Sequence, residues 1–121
     1  MPGIIGRIED WALPGAAIPK PETDRVYRVK GWGRRRGERA LIYLIPNRAH
    51  PSQPYEKGVT VSEWEQANAQ LASEGELRRS WFERSMARCS KEGGCNFTTI
   101  GGVFVALGIA VRHGRGVYRK A

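Results

Sequence analysis

The chain has 121 residues, of which 40% are hydrophobic and 26% are charged, and its net charge at neutral pH is +8. This composition is typical of a globular protein and argues against a disordered or fibrous one, and the length predicts a single domain over residues 1–121. No apolar run approaches the roughly 20 residues that span a bilayer, and no signal peptide opens the chain, so we expect a cytoplasmic protein without membrane contact.

Cysteine and histidine are scarce. The chain contains only Cys89, Cys95, His50 and His113. Two cysteines are too few for a secreted disulfide scaffold, so we expect free thiols, although a local disulfide between the two is geometrically conceivable. The histidines lie far apart and lack the spacing of a zinc site. We therefore expect no metal and no cofactor.

The positive charge is concentrated in two blocks. Residues 25–48 hold eight Lys and Arg against one Glu, a net of +7, and residues 76–121 hold nine against three, a net of +6. The segments 1–24 and 49–75 are net acidic. Concentrated positive charge attracts a polyanion through its local field. The two blocks therefore favour a nucleic-acid partner, and the alternative is a surface whose charge only maintains solubility.

The first 46 residues predict an extended arm followed by a β-hairpin. Prolines at positions 2, 14, 19 and 21 punctuate residues 1–24 and argue against a long helix. Residues 25–46 contain two runs rich in β-branched and aromatic residues, and glycines between these runs allow a tight turn. The second run is apolar on both faces, which predicts that helices or the arm cover it.

The turn of this hairpin is a candidate anion-binding site. The hairpin tip, as we name the three consecutive arginines of "GWGRRRGER", presents guanidinium groups that pair with phosphate. Trp32 precedes the tip and is expected either to stack on an exposed base or to pack in the core. The arginines of the hairpin tip are Arg34, Arg35 and Arg36.

Residues 47–59 are rich in proline and predict a connecting loop. Two capping boxes then predict helices, Ser62 with Glu65 for residues 62–73 and Ser73 with Glu76 for residues 75–89. The second predicted helix has an apolar face and a basic face. Its basic face is formed by Arg78, Arg79, Arg84 and Arg88.

The segment "CNFTTIGGVFVALGIAV" fits two interpretations. It forms either a hairpin that turns at Gly101–Gly102 or a helix over residues 98–107 that ends at Gly108. We favour the helix because the apolar residues share one helical face. The glycine pair costs such a helix about 1 kcal/mol per glycine relative to alanine, which is tolerable if another element packs closely there. Residues 109–112 and 117–120 predict a short basic hairpin after it.

The stretch "TTIGGVFVALGIAVRHGRGVYRK" resembles the third helix and wing of bacterial winged helix-turn-helix domains, and the corresponding part of the chain is 60–121. The chain as a whole resembles small bacterial mobile-element or phage proteins. We therefore expect an α+β fold in which the arm and the basic hairpin join a three-helix winged-helix-like unit that ends in a C-terminal β-hairpin wing. The resemblance implies nucleic-acid binding, with DNA favoured over RNA.

Polar residues that fit this expectation occur on the wing and at the start of its helix. The rest of helix 98–107 is apolar, so we do not expect it to read bases, and it is instead buried or forms a homodimer surface. Together with Trp32 and the hairpin tip, the candidate nucleic-acid contacts are Arg78, Arg79, Asn96, Thr98, Thr99, Arg112, His113, Arg115, Arg119 and Lys120.

No motif for a nucleophile, a phosphate loop or a metal-dependent enzyme is present in the sequence. We therefore expect a binding protein without chemistry, such as a regulator or accessory protein of a mobile element. One alternative is a small metal-independent nuclease or toxin that uses His50 as its general acid or base. A homodimeric interaction protein is the other alternative.

Overall fold

The structure is a computed structural model and describes residues 3–21 and 25–121. This part of the chain has an α+β architecture with five helices and two antiparallel sheets. The helices are α1 (Ile4–Trp11), α2 (Val61–Glu74), α3 (Arg79–Ser85), α4 (Ala87–Glu92) and α5 (Cys95–Ala106). The strands are β1 (Ala17–Ile18), β2 (Tyr27–Arg35), β3 (Glu38–Ile45), β4 (Tyr55–Thr60), β5 (Glu76–Arg78), β6 (Ala110–Arg112) and β7 (Val117–Lys120). None of the helices in these described ranges has the length and apolar character to cross a bilayer.

The predicted basic hairpin is confirmed as β2 and β3. Their two-residue turn consists of Arg36 and Gly37, whose φ angles of 52° and 74° are both positive, as a type I′ turn requires. The first sheet has the order β1-β2-β3-β4, so β3 is an inner strand. Its residues 40–43 are buried one after another, which explains why this run is apolar on both faces.

The N-terminal arm differs from the sequence prediction, because residues 4–11 form a helix. The prolines at positions 2 and 14 leave a proline-free stretch between them, long enough for two helical turns. Ile8 on this helix is buried, and α1 packs on α2. Residues 12–21 are non-helical and include β1, which pairs with β2. Residues 1–2 and 22–24 of the predicted arm lie outside the described residues.

The prediction of a loop over residues 47–59 is wrong at its end, where β4 pairs with β3. The helix predicted over 62–73 is confirmed as α2, but its capping box consists of Thr60 and Glu63 rather than Ser62 and Glu65. The Thr60 hydroxyl accepts a hydrogen bond from the Glu63 amide, and a Glu63 carboxylate oxygen accepts one from the Thr60 amide. The strand therefore continues directly into the helix, which begins at Val61, one residue before the predicted start.

The single helix predicted over residues 75–89 is also wrong. Gly75 adopts the left-handed conformation with φ of 78° and ends α2, so Ser73 and Glu76 form no capping box there. The next residues form β5, in which Leu77 pairs with Tyr118 of β7. The predicted helix is thus replaced by a strand and two short helices, and β5 makes the predicted C-terminal hairpin part of a three-stranded sheet of order β5-β7-β6.

The helical interpretation of the glycine-rich segment is confirmed by α5. Gly108 adopts a φ of 76°, its amide donates to the carbonyl of Val105, and the Ile109 amide donates to the carbonyl of Phe104. This pair of hydrogen bonds is a Schellman motif, which ends the helix at the predicted glycine. The hairpin predicted to follow is confirmed as β6 and β7.

Gly101 and Gly102 are placed in α5 by close packing on two sides. A Cβ atom on Gly101 would lie 2.1 Å from the ring of Tyr118, and one on Gly102 would lie 2.0 Å from the carbonyl oxygen of Pro19. Neither distance leaves room for a methyl group. The arm and β7 therefore both touch α5, and the loss of helix propensity is the cost of that contact.

We expect Gly101→Ala to lower the free energy of unfolding by about 1–3 kcal/mol, because overpacking against Tyr118 outweighs the gain in helix propensity. Urea denaturation measures this change. Replacing the ring with Tyr118→Leu should lower the free energy of unfolding by less in the Gly101→Ala background than in the native chain. The same replacement should not restore the stability of Gly102→Ala, because a Cβ atom there meets the backbone carbonyl of Pro19. A Gly101→Ala protein as stable as the native one would contradict this packing.

Candidate functional site

A concave groove with a volume of about 860 Å³ lies between the end of the arm, the start of α5 and the C-terminal hairpin. Five of the side chains that line it are cationic, and among the described residues no acidic side chain lines it. We call this the basic groove. Its cationic residues are Lys20, Arg78, Arg79, Arg112 and Arg115.

Arg79 is the most firmly held of these cations. One guanidinium nitrogen donates to the carbonyl of Gly94 at 3.2 Å, another lies 3.5 Å from the hydroxyl of Thr98, and the guanidinium carbon lies 4.8 Å from the ring centre of Phe97. No acidic residue of the described part pairs with it. Its positive charge is therefore fixed in place and available to a ligand.

The other four cations surround Arg79. Lys20 donates to the carbonyl of Arg25 at 2.8 Å and lies 4.3 Å from the ring centre of Tyr27. Arg78 is the only one of the five with an acidic partner among the described residues, which is Glu76. Arg112 and Arg115 are exposed on the C-terminal hairpin. The lining residues thus carry a positive field that the described acids compensate only at Arg78.

Aromatic rings form much of the inner wall of the groove. Phe97 and Tyr118 are almost fully buried, and their ring centres lie 5.5 Å apart. Burial raises the pKa of the Tyr118 hydroxyl, and the nearby charges of Arg112 and Arg79 act in the opposite direction. Tyr118, Arg79 and Arg112 all line the groove, so both guanidinium groups lie near the same part of its wall.

The hairpin tip does not line the basic groove. The side chain of Arg36 is only 23% exposed and forms ion pairs with Glu63 and Glu92, and the hydrogen bond to Glu92 raises the pKa of the guanidinium. Arg34 is exposed and Arg35 is half-buried, and neither forms an ion pair with a described acid: their guanidinium groups donate to the backbone carbonyls of Gly37 and Arg34. Arg36 therefore connects the tip to α2 and α4 instead of facing outward.

Trp32 packs partly against the core, and the guanidinium carbon of Arg39 lies 4.0 Å from its ring centre. This cation–π contact occupies a ring face that a base would need for stacking. Trp32 is absent from the lining of the basic groove. The structure therefore places it in a packing role beside β3.

Asn96 and Thr99 are internal residues, not surface contacts. The amide oxygen of Asn96 accepts a hydrogen bond of 2.6 Å from the Tyr43 hydroxyl, and its nitrogen donates to the carbonyl of Cys89 at 3.0 Å. Residues 99–104 of α5 are all buried within the chain. Base contacts through Asn96 or Thr99 thus lack the exposed face that they require. A homodimer through helix 98–107 stays a prediction, and within that range Thr98 and residues 105–107 are the half-buried positions.

The remaining candidates are divided. Some of them line the basic groove, namely Thr98, Arg78, Arg79, Arg112 and Arg115. The others are exposed but lie outside its lining, namely His50, His113, Arg119 and Lys120. Sequence reasoning missed Lys20, Tyr27 and Cys95. No local pattern marks these three as partners of the C-terminal basic block, because they come from the arm, the start of β2 and the start of α5.

Both cysteines are free thiols, but their surroundings differ. Cys89 is 1% exposed, and burial together with the nearby carboxylate of Glu63 raises the pKa of its thiol. Cys95 is partly exposed, lines the basic groove and has its sulfur 3.3 Å from the Tyr43 hydroxyl oxygen. Only Cys95 is therefore placed to report on what enters the groove.

No protein-family model matches the chain, and neither a curated protein nor a solved structure does.

We expect Arg36→Ala to lower the free energy of unfolding by about 1–3 kcal/mol, because it leaves the largely buried carboxylate of Glu63 without its charged partner. Arg34→Ala is the matched control, since it removes the same charge from an exposed neighbour and should change stability by less than about 0.5 kcal/mol. Equal effects of the two substitutions in urea denaturation would show that the ion pairs of Arg36 contribute nothing specific.

We expect one thiol per chain to react with Ellman's reagent in the native protein and two after denaturation. Cys95 should supply the native reaction, while Cys89 stays unreactive near pH 8.5, where an ordinary cysteine is half ionised, because its pKa is raised. Cys95→Ser should abolish the native reaction, and a rapid reaction that survives in this variant would contradict the assignment.

Proposed function

We propose that this protein binds nucleic acid through the basic groove, chiefly by contacts to phosphates. The single observation that carries the proposal is the convergence of five cations on one concave surface without an acidic side chain among its described lining residues. Three of these cations come from distant parts of the chain, which are the arm (Lys20), the start of α3 (Arg79) and the C-terminal hairpin (Arg115).

The chemistry of the lining suits phosphate. A guanidinium presents several N–H donors in a planar fork that matches two phosphate oxygens, and four of the five cations are arginines. Gly94 and Gly116 also line the groove, and glycine lets a ligand approach the backbone closely. Phosphate contacts of this kind position a strand without identifying its sequence.

We further propose that residues 60–121 form a winged-helix-like unit. The order of elements supports this, since α2, the pair α3 and α4, and then α5 precede the C-terminal hairpin, which would be the wing. One feature departs from the expectation of a base-reading helix, because α5 is buried over residues 99–104. The proposed binding is therefore insensitive to base sequence, and DNA remains the favoured partner.

The test is fluorescence anisotropy with labelled DNA and RNA oligonucleotides at several salt concentrations. We expect the logarithm of the binding constant to fall linearly with the logarithm of salt, with a slope of about −2 to −4 for three to five phosphate contacts. The double variant Arg79→Ala/Arg115→Ala should bind about tenfold or more weakly, because hydrogen bonds to charged groups are lost. Its slope should be reduced by about 0.7–0.9 for each arginine removed.

Arg84→Ala/Arg88→Ala is the matched control. Both residues are exposed on α3 and α4, lie outside the groove lining, and remove the same two charges. This control should retain most of the affinity and nearly all of the salt slope. If the two double variants weaken binding equally, net charge and not the basic groove would determine the affinity.

A further inference from the structure

The basic groove is a small concave site. Its volume of about 860 Å³ lies within the range of about 300–1,000 Å³ that is typical of pockets for small ligands. Duplex DNA is a broad, stiff rod whose major groove alone is about 12 Å wide, so it can lie across such a site but cannot enter it. A single strand has a narrow, flexible backbone and can place a few nucleotides inside.

The secondary structure around the groove also favours a single strand over a duplex. Reading of a duplex requires an element that projects into a groove of the DNA. The α5 helix, which begins at the basic groove, is covered by both sheets and buried over residues 99–104. Only its start, at Cys95 and Thr98, is partly open to the groove. The protein thus presents a concave binding surface here instead of an element that projects into a groove of the DNA.

Arg79 provides a fixed phosphate site within this receptor. Its guanidinium has five N–H donors, and the contacts to Gly94 and Thr98 use two of its nitrogens without satisfying all the donors. The stacking on Phe97 fixes the plane of the group. Because the side chain is already ordered, a phosphate that binds it avoids much of the usual entropy cost of immobilisation.

Base recognition has little support in the groove. Tyr27 is the most open of the lining rings, but Lys20 lies over it at 4.3 Å, and its ring centre lies 5.7 Å from that of Tyr43 on the core side. A base therefore finds no uncovered ring face on which to stack without displacing Lys20. The groove contacts the phosphates and sugars of a strand and leaves its bases unread.

We propose that the basic groove takes a short single-stranded segment of nucleic acid, with one phosphate bound by Arg79 and neighbouring phosphates bound by the C-terminal hairpin. This inference rests on the proposed function and narrows it to the single-stranded form. The strand passes next to Cys95, since this residue lines the same groove. The thiol consequently serves as a natural reporter of occupancy.

The experiment measures alkylation of Cys95 by a maleimide in the native protein, with and without oligothymidylate of about eight nucleotides, a length within the range of single-strand sites. We expect bound oligothymidylate to slow alkylation about tenfold. Oligoadenylate should protect to the same extent within a few-fold. A blunt duplex long enough to stay paired, supplied at the same total phosphate concentration, should bind at least tenfold more weakly and leave the alkylation rate unchanged.

Two variants locate the strand. Arg79→Lys keeps the charge but loses the planar fork, and Arg115→Gln changes an exposed residue of the C-terminal hairpin that does not hold the fold together. Both should reduce protection of Cys95 by the single strand. Arg84→Gln is the control outside the groove and should leave protection at the native level, with circular dichroism confirming that all three proteins are folded.

The outcomes separate this inference from the proposed function. If duplex binds as tightly as the single strand and Cys95 stays unprotected, the single-strand inference is wrong while nucleic-acid binding stands. Protection by inorganic pyrophosphate at the same concentration as by oligothymidylate would also overturn it, because a small anion site would suffice. If neither DNA nor RNA binds at about 50 mM salt, where phosphate contacts are strong, the proposed function itself fails.

Discussion

The basic groove depends on the contact of two chain segments with the glycine pair of α5. The carbonyl of Pro19 approaches one side of the helix at Gly102, and the ring of Tyr118 approaches it at Gly101. These two contacts also position the residues next to them, so the end of the arm and the C-terminal hairpin lie on either side of the start of α5. The basic groove is the space between them, and a side chain larger than hydrogen at either glycine would push its walls apart.

The same dependence on distant contacts explains which elements could be predicted from the sequence. The hairpin over residues 25–46 and helices α2 and α5 follow from local patterns, because turn glycines, helical spacing and a stop glycine act within a few residues. Residues 76–78 have a helical pattern yet form a strand, since their hydrogen-bonding partner is β7, about forty positions later. Tertiary pairing outweighed propensity there, and no local signal reveals it.

For a related reason, the charge pattern of the sequence predicts only part of the candidate site. The sequence identifies cations but not their acidic partners, which for Arg36 are Glu63 and Glu92 on two other elements. The hairpin tip therefore contains the densest run of arginines and still contributes part of its charge to internal ion pairs. Arg79 has the opposite character, since its contacts are a carbonyl, a hydroxyl and an aromatic ring, and these hold the side chain without cancelling its charge.

The groove contains two kinds of cation, which would contribute differently to the proposed binding. Exposed arginines such as Arg112 and Arg115 extend the positive field into solvent and accelerate encounter with a polyanion, but each loses side-chain freedom when it is immobilised. Arg79 is ordered beforehand at the wall, beside the start of α5, where the helix dipole adds a partial positive charge. Under the proposed binding, a strand drawn in by the exposed arginines would meet the already ordered guanidinium of Arg79, and its rate of release would depend chiefly on that contact.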